Sequence, residues 1–190
     1  SGGSLTASSP SDEPPGVPGV LHPAGLLWDN GVDEFAEAAD RLRQRGVRAR
    51  FALVGPLDAG NPAAVTEAEV RAWTDASTVE WWGYRTDMTE VYRQATIVVL
   101  PSYREGLSKA LLEAGAMTRA LVTTDAPGCR DVVTDGETGL LVPTRDAAAL
   151  ADAIGRLLGD SGLRQRFRHA ARADIQARFS IKHIVDAHFG

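Results

Sequence analysis

Glu105 and Glu113 bracket seven residues within Tyr103–Ala116 (YREGLSKALLEAGA), and no other spacing in this 190-residue sequence carries as much chemistry. The loop Pro101–Ser108 leads into a helix predicted over Gly106–Met117. Glycine at 106 lets a ligand approach the backbone. The free amides of a first helical turn, with the helix dipole behind them, suit an anion such as a phosphate. Glu105 stands at the mouth of that site. Eight helical residues rise about 12 Å, so a helix through both glutamates puts them too far apart to share a metal or to act on one bond. The separation suits two carboxylates gripping hydroxyls at opposite ends of a long ligand, with phosphates between. A nucleotide-sugar has that order of groups: sugar, diphosphate, ribose.

Other reactive side chains give weaker patterns. Cys129 is the single cysteine, so neither a disulfide framework nor a multi-cysteine zinc site can form within the chain. It sits in PGCRD without an evident His or Asp partner and reads as a packed loop residue. His183 and His188 are five apart, roughly 140° around a helix, and do not form the two-histidine zinc pattern. His22 and His169 have no ligand spacing either, so no metal site is expected. The tryptophans Trp28, Trp73, Trp81 and Trp82 read mainly as core, with one of the adjacent pair turned inward by strand alternation.

The elements that must position the two glutamates follow from periodicity. Strands are predicted over Val17–His22, Arg48–Val54, Val79–Trp82, Ala95–Leu100, Arg119–Thr123 and Gly139–Val142. Helices are predicted over Val32–Arg45, from a Thr66/Glu69 capping box to Ala76, and over Asp87–Gln94, Gly106–Met117, Asp146–Leu158, 161–178 and 180–189. Ala95–Leu100 (ATIVVL) shows no alternation and suits a strand covered on both faces. Strands joined by helical crossovers give an α/β, Rossmann-like parallel sheet with helices on both faces, closed by the C-terminal helices. Ligands of such sheets bind beyond the carboxyl ends of the strands. Residues 1–16 are rich in Ser, Gly and Pro and read as a disordered leader or linker, leaving 17–190 as the domain.

Bulk properties narrow the class. Hydrophobic residues make up 44% and charged residues 24%, as in soluble globular proteins. The net charge of −5 is interspersed, without a basic stripe for nucleic acid or a basic amphipathic face for a membrane. No apolar run approaches the roughly 20 residues of a membrane span, and no secretory signal is visible. A cytoplasmic setting is expected, with peripheral placement at the inner membrane face if the acceptor is lipid-linked.

Several segments in order resemble the family 4 (group 1) retaining glycosyltransferases of the two-domain GT-B fold. They are LLWDNGVDEFAEAADRL (26–42), FALVGP (51–56), VEWWGYRTDM (79–88), VVLPSYREGL (98–107), LLEAGA (111–116) and VTTDAPGCRDVVTDGETGLLVP (122–143). The resemblance covers roughly residues 17–189, the C-terminal, nucleotide-sugar-binding half. It implies that Glu105 is the catalytic-site carboxylate and holds hydroxyls of the donor sugar. It implies that Gly106, Leu107 and Ser108 present amides to sugar and diphosphate, that Glu113 accepts from the ribose, and that Arg85 in the Gly83–Arg85 loop lies against the base. No cofactor is implied, the nucleotide-sugar being a substrate, and the family usually needs no metal. The chemistry implied is retaining transfer in polysaccharide or lipid-linked glycan synthesis.

Three departures from that pattern matter. Gly25 and Asn30 stand where the family has an Arg and, five residues on, a Lys that neutralise the diphosphate. Hydrogen bonds to charged groups contribute about 1.5–3 kcal/mol each, so losing two costs roughly 3–6 kcal/mol, or about two to four orders of magnitude. The N-terminal acceptor domain that precedes this half in the family is absent from the sequence, so an acceptor half or a separately encoded partner is the expected companion. Thr118 and Ala120 replace a frequent Gly and Pro around Arg119. The isolated chain is therefore expected to be weak or inactive. The alternatives are a degenerate, non-catalytic interaction module and a nucleotide-sugar 2-epimerase of the same fold.

Overall fold

The strand β4 (Ile97–Leu100) has all four side chains fully buried, because helices cover both its faces. The computed structural model describes residues 11–179. The helix expected over 180–189, His183, His188 and residues 1–10 lie outside the described residues. Six strands pair in the order β3-β2-β1-β4-β5-β6, every pair parallel. The others are β1 (Gly19–His22), β2 (Arg50–Leu53), β3 (Glu80–Trp81), β5 (Ala120–Thr124) and β6 (Leu140–Val142). The helices are α1 (Val32–Gln44), α2 (Glu67–Asp75), α3 (Met88–Arg93), α4 (Lys109–Ala116), α5 (Ala147–Leu158) and α6 (Ser161–Arg178). This is the doubly covered parallel sheet that the alternation predicts.

Side chains alternate across the strands into two apolar layers. Val20, Ile97 and Val99 join Phe35 and Leu42 of α1 and Leu150 and Ile154 of α5. Leu21, Val98 and Leu100 join Tyr92 of α3, Leu111 of α4 and Ile175 of α6. Each large apolar side chain buried this way contributes about 1.5–3 kcal/mol. After β1 the chain crosses to α1 in the first layer, and after β4 to α4 in the second. The connections therefore part between β1 and β4, and in sheets of this kind ligands bind beyond the carboxyl ends of the strands at such a point.

The start of α4 differs from the expected Gly106. Ser108 is extended (φ −72°, ψ 109°) and its Oγ accepts from the Leu111 amide at 3.3 Å. A serine so placed caps the helix and stops it from extending backward. Gly106 and Leu107 are therefore loop. Glu105 lies four residues before the helix, so its distance from Glu113 is not set by a helical rise.

The amino end of the sheet is tied by arginines. Arg119 is 1% exposed, yet its guanidinium is charged. Its Nη2 donates to the Ser11 carbonyl (2.5 Å), Ser11 Oγ (2.7 Å) and the Asp12 carbonyl (3.0 Å), and its Nη1 to the Ala95 carbonyl (3.0 Å). Burial and the neighbouring Arg168 lower its pKa to about 10, which leaves it protonated at neutral pH. Arg164 holds Glu13 at 2.9 Å. Residues 11–13, at the end of the stretch that composition reads as a leader, thus compensate a buried charge.

Between α4 and β5 the chain turns through Thr118 at φ 65°. The Thr118 amide donates to Gly115 O and the Arg119 amide to Ala114 O, the pairing of a Schellman turn. That turn favours glycine at its left-handed position, and a β-branched residue there is strained. The Thr118 hydroxyl is also buried with no partner among the described residues. Thr118→Gly is expected to raise unfolding stability by about 1 kcal/mol, measured by urea denaturation. A loss of stability would show that the hydroxyl and methyl contribute more than the strain costs.

Candidate functional site

The first wall of the candidate site is the 23–31 loop after β1. His22 is fully buried, and its Nε2 lies 2.9 Å from the Asn30 carbonyl. A carbonyl can only accept, so Nε2 carries the proton. Nδ1 is buried without a partner among the described residues. Burial lowers the His22 pKa, so the neutral ring pins the loop. Asn30 Nδ2 donates to the Gly25 carbonyl at 2.8 Å, which places the two positions expected to carry cations against one another. Gly31, at φ 75°, lies so close to the next loop that a Cβ would stand 2.1 Å from the Pro101 carbonyl. The Tyr103 amide then donates to the Asp29 carbonyl at 2.9 Å.

The second wall is the loop leaving β4. Ser102 is fully buried, and its Oγ donates to Glu105 Oε1 at 2.9 Å. Thr124 at the end of β5 donates to the Ser102 carbonyl at 2.5 Å, and the Glu105 amide donates to the Pro127 carbonyl at 3.0 Å. Gly128 (φ +81°) sits where a Cβ would fall 1.8 Å from the Gly106 carbonyl. Glu105 is thus held half-buried with its carboxylate oriented by a serine. A Cβ on Gly106 would meet no protein atom within 4 Å, so this residue faces open space, and Leu107 beside it is 50% exposed.

Beyond them, α4 begins at Lys109. The amides of Lys109 and Ala110 have no acceptor within the helix, and a cation stands in the first turn instead of an acid. A lysine there opposes the helix dipole and favours an anion nearby. Glu113 lies one turn on, half-buried. Burial pushes its pKa up to about 7, partly offset by the Lys109 charge. Its charge also reaches Tyr92 of α3, which places it on the α3 side of α4.

Arg85 stands apart from this group. It follows β3 at the sheet edge, where its Nε and Nη2 donate to Asp87 at 2.7 and 2.6 Å, and it lies 5.8 Å from the Trp82 ring. Neighbouring Tyr84 is 72% exposed. The tryptophans pack on the core, Trp28, Trp73 and Trp81 on one layer and Trp82 on the other. Cys129 is fully buried, which raises its thiol pKa. Among the described residues no three His, Cys, Asp or Glu side chains gather as metal ligands, and no helix is long and apolar enough to cross a membrane.

The sequence that builds this geometry matches a known family. The profile of the family described as Glycosyl transferases group 1 matches residues 18–160. The chain belongs to the group 1 glycosyltransferases. Among curated relatives it is 36% identical over 157 residues to the N,N'-diacetylbacillosaminyl-diphospho-undecaprenol alpha-1,3-N-acetylgalactosaminyltransferase of Campylobacter jejuni, covering 83% of this chain and 40% of that protein. It is 28% identical over 155 residues to the capsular polysaccharide biosynthesis glycosyltransferase CapM of Staphylococcus aureus, covering 82% and 40%. The chain therefore spans about two fifths of these relatives. Its fold resembles that of HepE from Anabaena, solved with UDP (TM-score 0.78, 21% identity, 90% of this chain and 47% of that one). It also resembles a C-terminal domain of a group 1 glycosyl transferase from Francisella tularensis (TM-score 0.74, 23% identity, 91% and 96%). The fold is that of the C-terminal half of a GT-B glycosyltransferase.

Lys109 stands between Glu105 and Glu113, at the first position of α4. Lys109→Gln is expected to raise stability by about 0.3–1 kcal/mol, because an opposing helix-end charge is removed. The same change should weaken pyrophosphate binding roughly tenfold or more. Urea unfolding and calorimetric titration check the two signs. Unchanged binding would remove Lys109 from the anion site.

Proposed function

We propose that this chain is the donor-binding half of a retaining glycosyltransferase that takes its sugar from a nucleotide diphosphate and serves polysaccharide or lipid-linked glycan synthesis. The observation that carries the reading is the Ser102-oriented Glu105 set just ahead of the α4 amino terminus, at the point where the β1 and β4 connections part. The donor's sugar hydroxyls meet Glu105, and its diphosphate meets the Gly106–Ser108 backbone, Lys109 and the helix end. The ribose donates to Glu113, and the base lies toward the Gly83–Arg85 loop, where Arg85 must leave Asp87 to contact it. UDP in the complex of HepE, the diphospho-undecaprenol in the name of one relative and the capsular polysaccharide biosynthesis in the name of another support this chemistry. A lipid-linked acceptor places the assembled enzyme at the inner membrane face. The acceptor binds a second half, so the isolated chain binds donor and transfers sugar weakly or not at all.

In transfer, the bond from the anomeric carbon to the diphosphate breaks and its electron pair leaves with the diphosphate. The acceptor's hydroxyl oxygen bonds to that carbon on the same face, and its proton passes to the departing diphosphate. Charge grows on the leaving group, so cations near it set the rate. Gly25 and Asn30 supply none, which also favours a second reading, a degenerate module that keeps the fold and has lost the ligand.

Titration with UDP, UDP-sugars and GDP-sugars separates the two readings, since a degenerate module binds none of them even at millimolar concentration. A Cβ on Gly25 would meet only Asn30 Nδ2, at 4.0 Å, so the position accepts a side chain. Gly25→Arg with Asn30→Lys loses the amide bond to Gly25, about 1 kcal/mol, and gains two charged hydrogen bonds of about 1.5–3 kcal/mol each. Affinity should rise at least tenfold. No change would sink the diphosphate assignment.

Glu113 gives the site a pH dependence. The folded carboxyl holds its proton to about pH 7, against an unperturbed value of 4.5. Protonation of this carboxyl therefore favours folding, an effect fully present below about pH 4.5 and lost as pH rises through about 7. Ribose hydroxyls donate to the ionised form, so donor affinity should rise with pH up to about 7 and then level off. The slope below 7 is at most about tenfold per unit. A UDP-sugar is the proper probe, since its diphosphate diester does not titrate near neutrality. Glu113→Gln should flatten the profile. A flat profile in the unaltered chain would place the ribose elsewhere.

A further inference from the structure

The donor loop is held from one more side, by contacts that belong to neither glutamate. Tyr103 opens the loop, and its hydroxyl donates to Glu34 Oε1 in the first turn of α1. The Arg145 guanidinium lies over the Tyr103 ring, 4.1 Å from its centroid. Among the described residues the partner of that guanidinium is this ring and not a carboxylate. Glu34 Oε2 is buried with no partner among the described residues, so the tyrosine hydroxyl is what satisfies this carboxylate. Burial and Glu34 raise the phenol pKa well beyond the physiological range, which keeps the donor proton in place.

Arg145 adopts φ 55° in the turn between β6 and α5. Left-handed backbone in a residue other than glycine is unfavourable and persists where the surroundings over-determine it. Here the unfavourable turn delivers the guanidinium to the tyrosine face, a cation–π contact. The placement has a topological reason. Glu34 and Arg145 sit at the amino ends of α1 and α5, in the first layer, whereas the donor loop leaves toward α4 in the second. Tyr103 is the point where the first layer takes hold of that loop.

We infer that Arg145 and Glu34, acting through Tyr103, are positioning residues that fix the 103–108 loop and with it the Glu105 carboxylate. The inference rests on the donor-site reading above. Arg145→Asn removes the cation and keeps a residue that tolerates left-handed backbone. Stability should be unchanged or slightly raised, while amide hydrogen exchange across 103–108 speeds up roughly tenfold. UDP-glucose affinity should fall roughly two- to fivefold, the range of an exposed cation–π contact. Arg145→Lys should restore part of both effects. Tyr103→Phe should keep the stack, lose the Glu34 bond, and loosen the first turn of α1 together with the loop.

A purely structural arginine would instead lower stability and leave the local exchange pattern alone, which overturns the inference. Faster loop exchange with unchanged affinity also overturns it, because the loop would then be braced without consequence for Glu105. If the unaltered chain binds no UDP-glucose, the donor reading fails and positioning for a donor fails with it. Loop exchange then still reports whether the brace exists, so the two failures are told apart.

Discussion

The open end of the sheet depends on how β4 gives up its buried backbone. A strand covered on both faces has no water for its last carbonyls, and unpaired ones are costly. Two consecutive threonines of β5 supply the donors. Thr123 bonds to the Leu100 carbonyl at 2.7 Å and Thr124 to the Ser102 carbonyl at 2.5 Å. With its carbonyl satisfied in this way, Ser102 is fixed, and its hydroxyl can orient Glu105. The loop's later contacts, to Pro127 and beside Gly128, require that starting point. Glu105 is thus aimed by the same hydrogen bonds that terminate the strand.

Much of this was legible in the sequence, and the physical reason is locality. The unbroken apolar run of β4 reports two covered faces wherever it occurs. The Thr66/Glu69 capping box is written in four adjacent residues and is present as expected. The Asp146 cap of α5 is equally local. Short-range rules failed where two local signals competed. Gly106-Leu107-Ser108 continues the apolar spacing of Lys109–Ala116, so the helix was expected to start at Gly106, but the Ser108 cap wins. Val79–Trp82 shrinks to Glu80–Trp81 because β3 is an edge strand paired to β2 alone.

The parts of the site that could not be read are those made by chain segments far apart. Nothing near Thr124 says that its hydroxyl meets Ser102, and nothing near Gly128 says that Gly106 lies against it. Arg145 and Tyr103 are separated in sequence by α4, β5 and β6, yet they stack. Arg119 carries a partial signal, since a charged residue at the head of an apolar strand must find acceptors. Those acceptors, in Ser11 and Asp12, lie in a segment whose composition reads as linker.

In the donor-site reading proposed above, the charges of the site bear on what stabilises a departing diphosphate. The 23–31 loop offers Asn30 and backbone where two cations would neutralise a diphosphate, and Asn30 is already engaged with Gly25. Lys109 adds one charge at the α4 terminus, and the helix end adds a fraction of another. Glu113 is close to half-protonated at neutral pH, so the site carries less negative charge than its residues suggest. In that reading the site accepts a nucleotide-sugar without strong repulsion and stabilises the departing diphosphate poorly. Binding that is equal in ground and transition states does not accelerate transfer. In that reading the missing stabilisation has to arise where the growing charge sits, as from cations restored at 25 and 30.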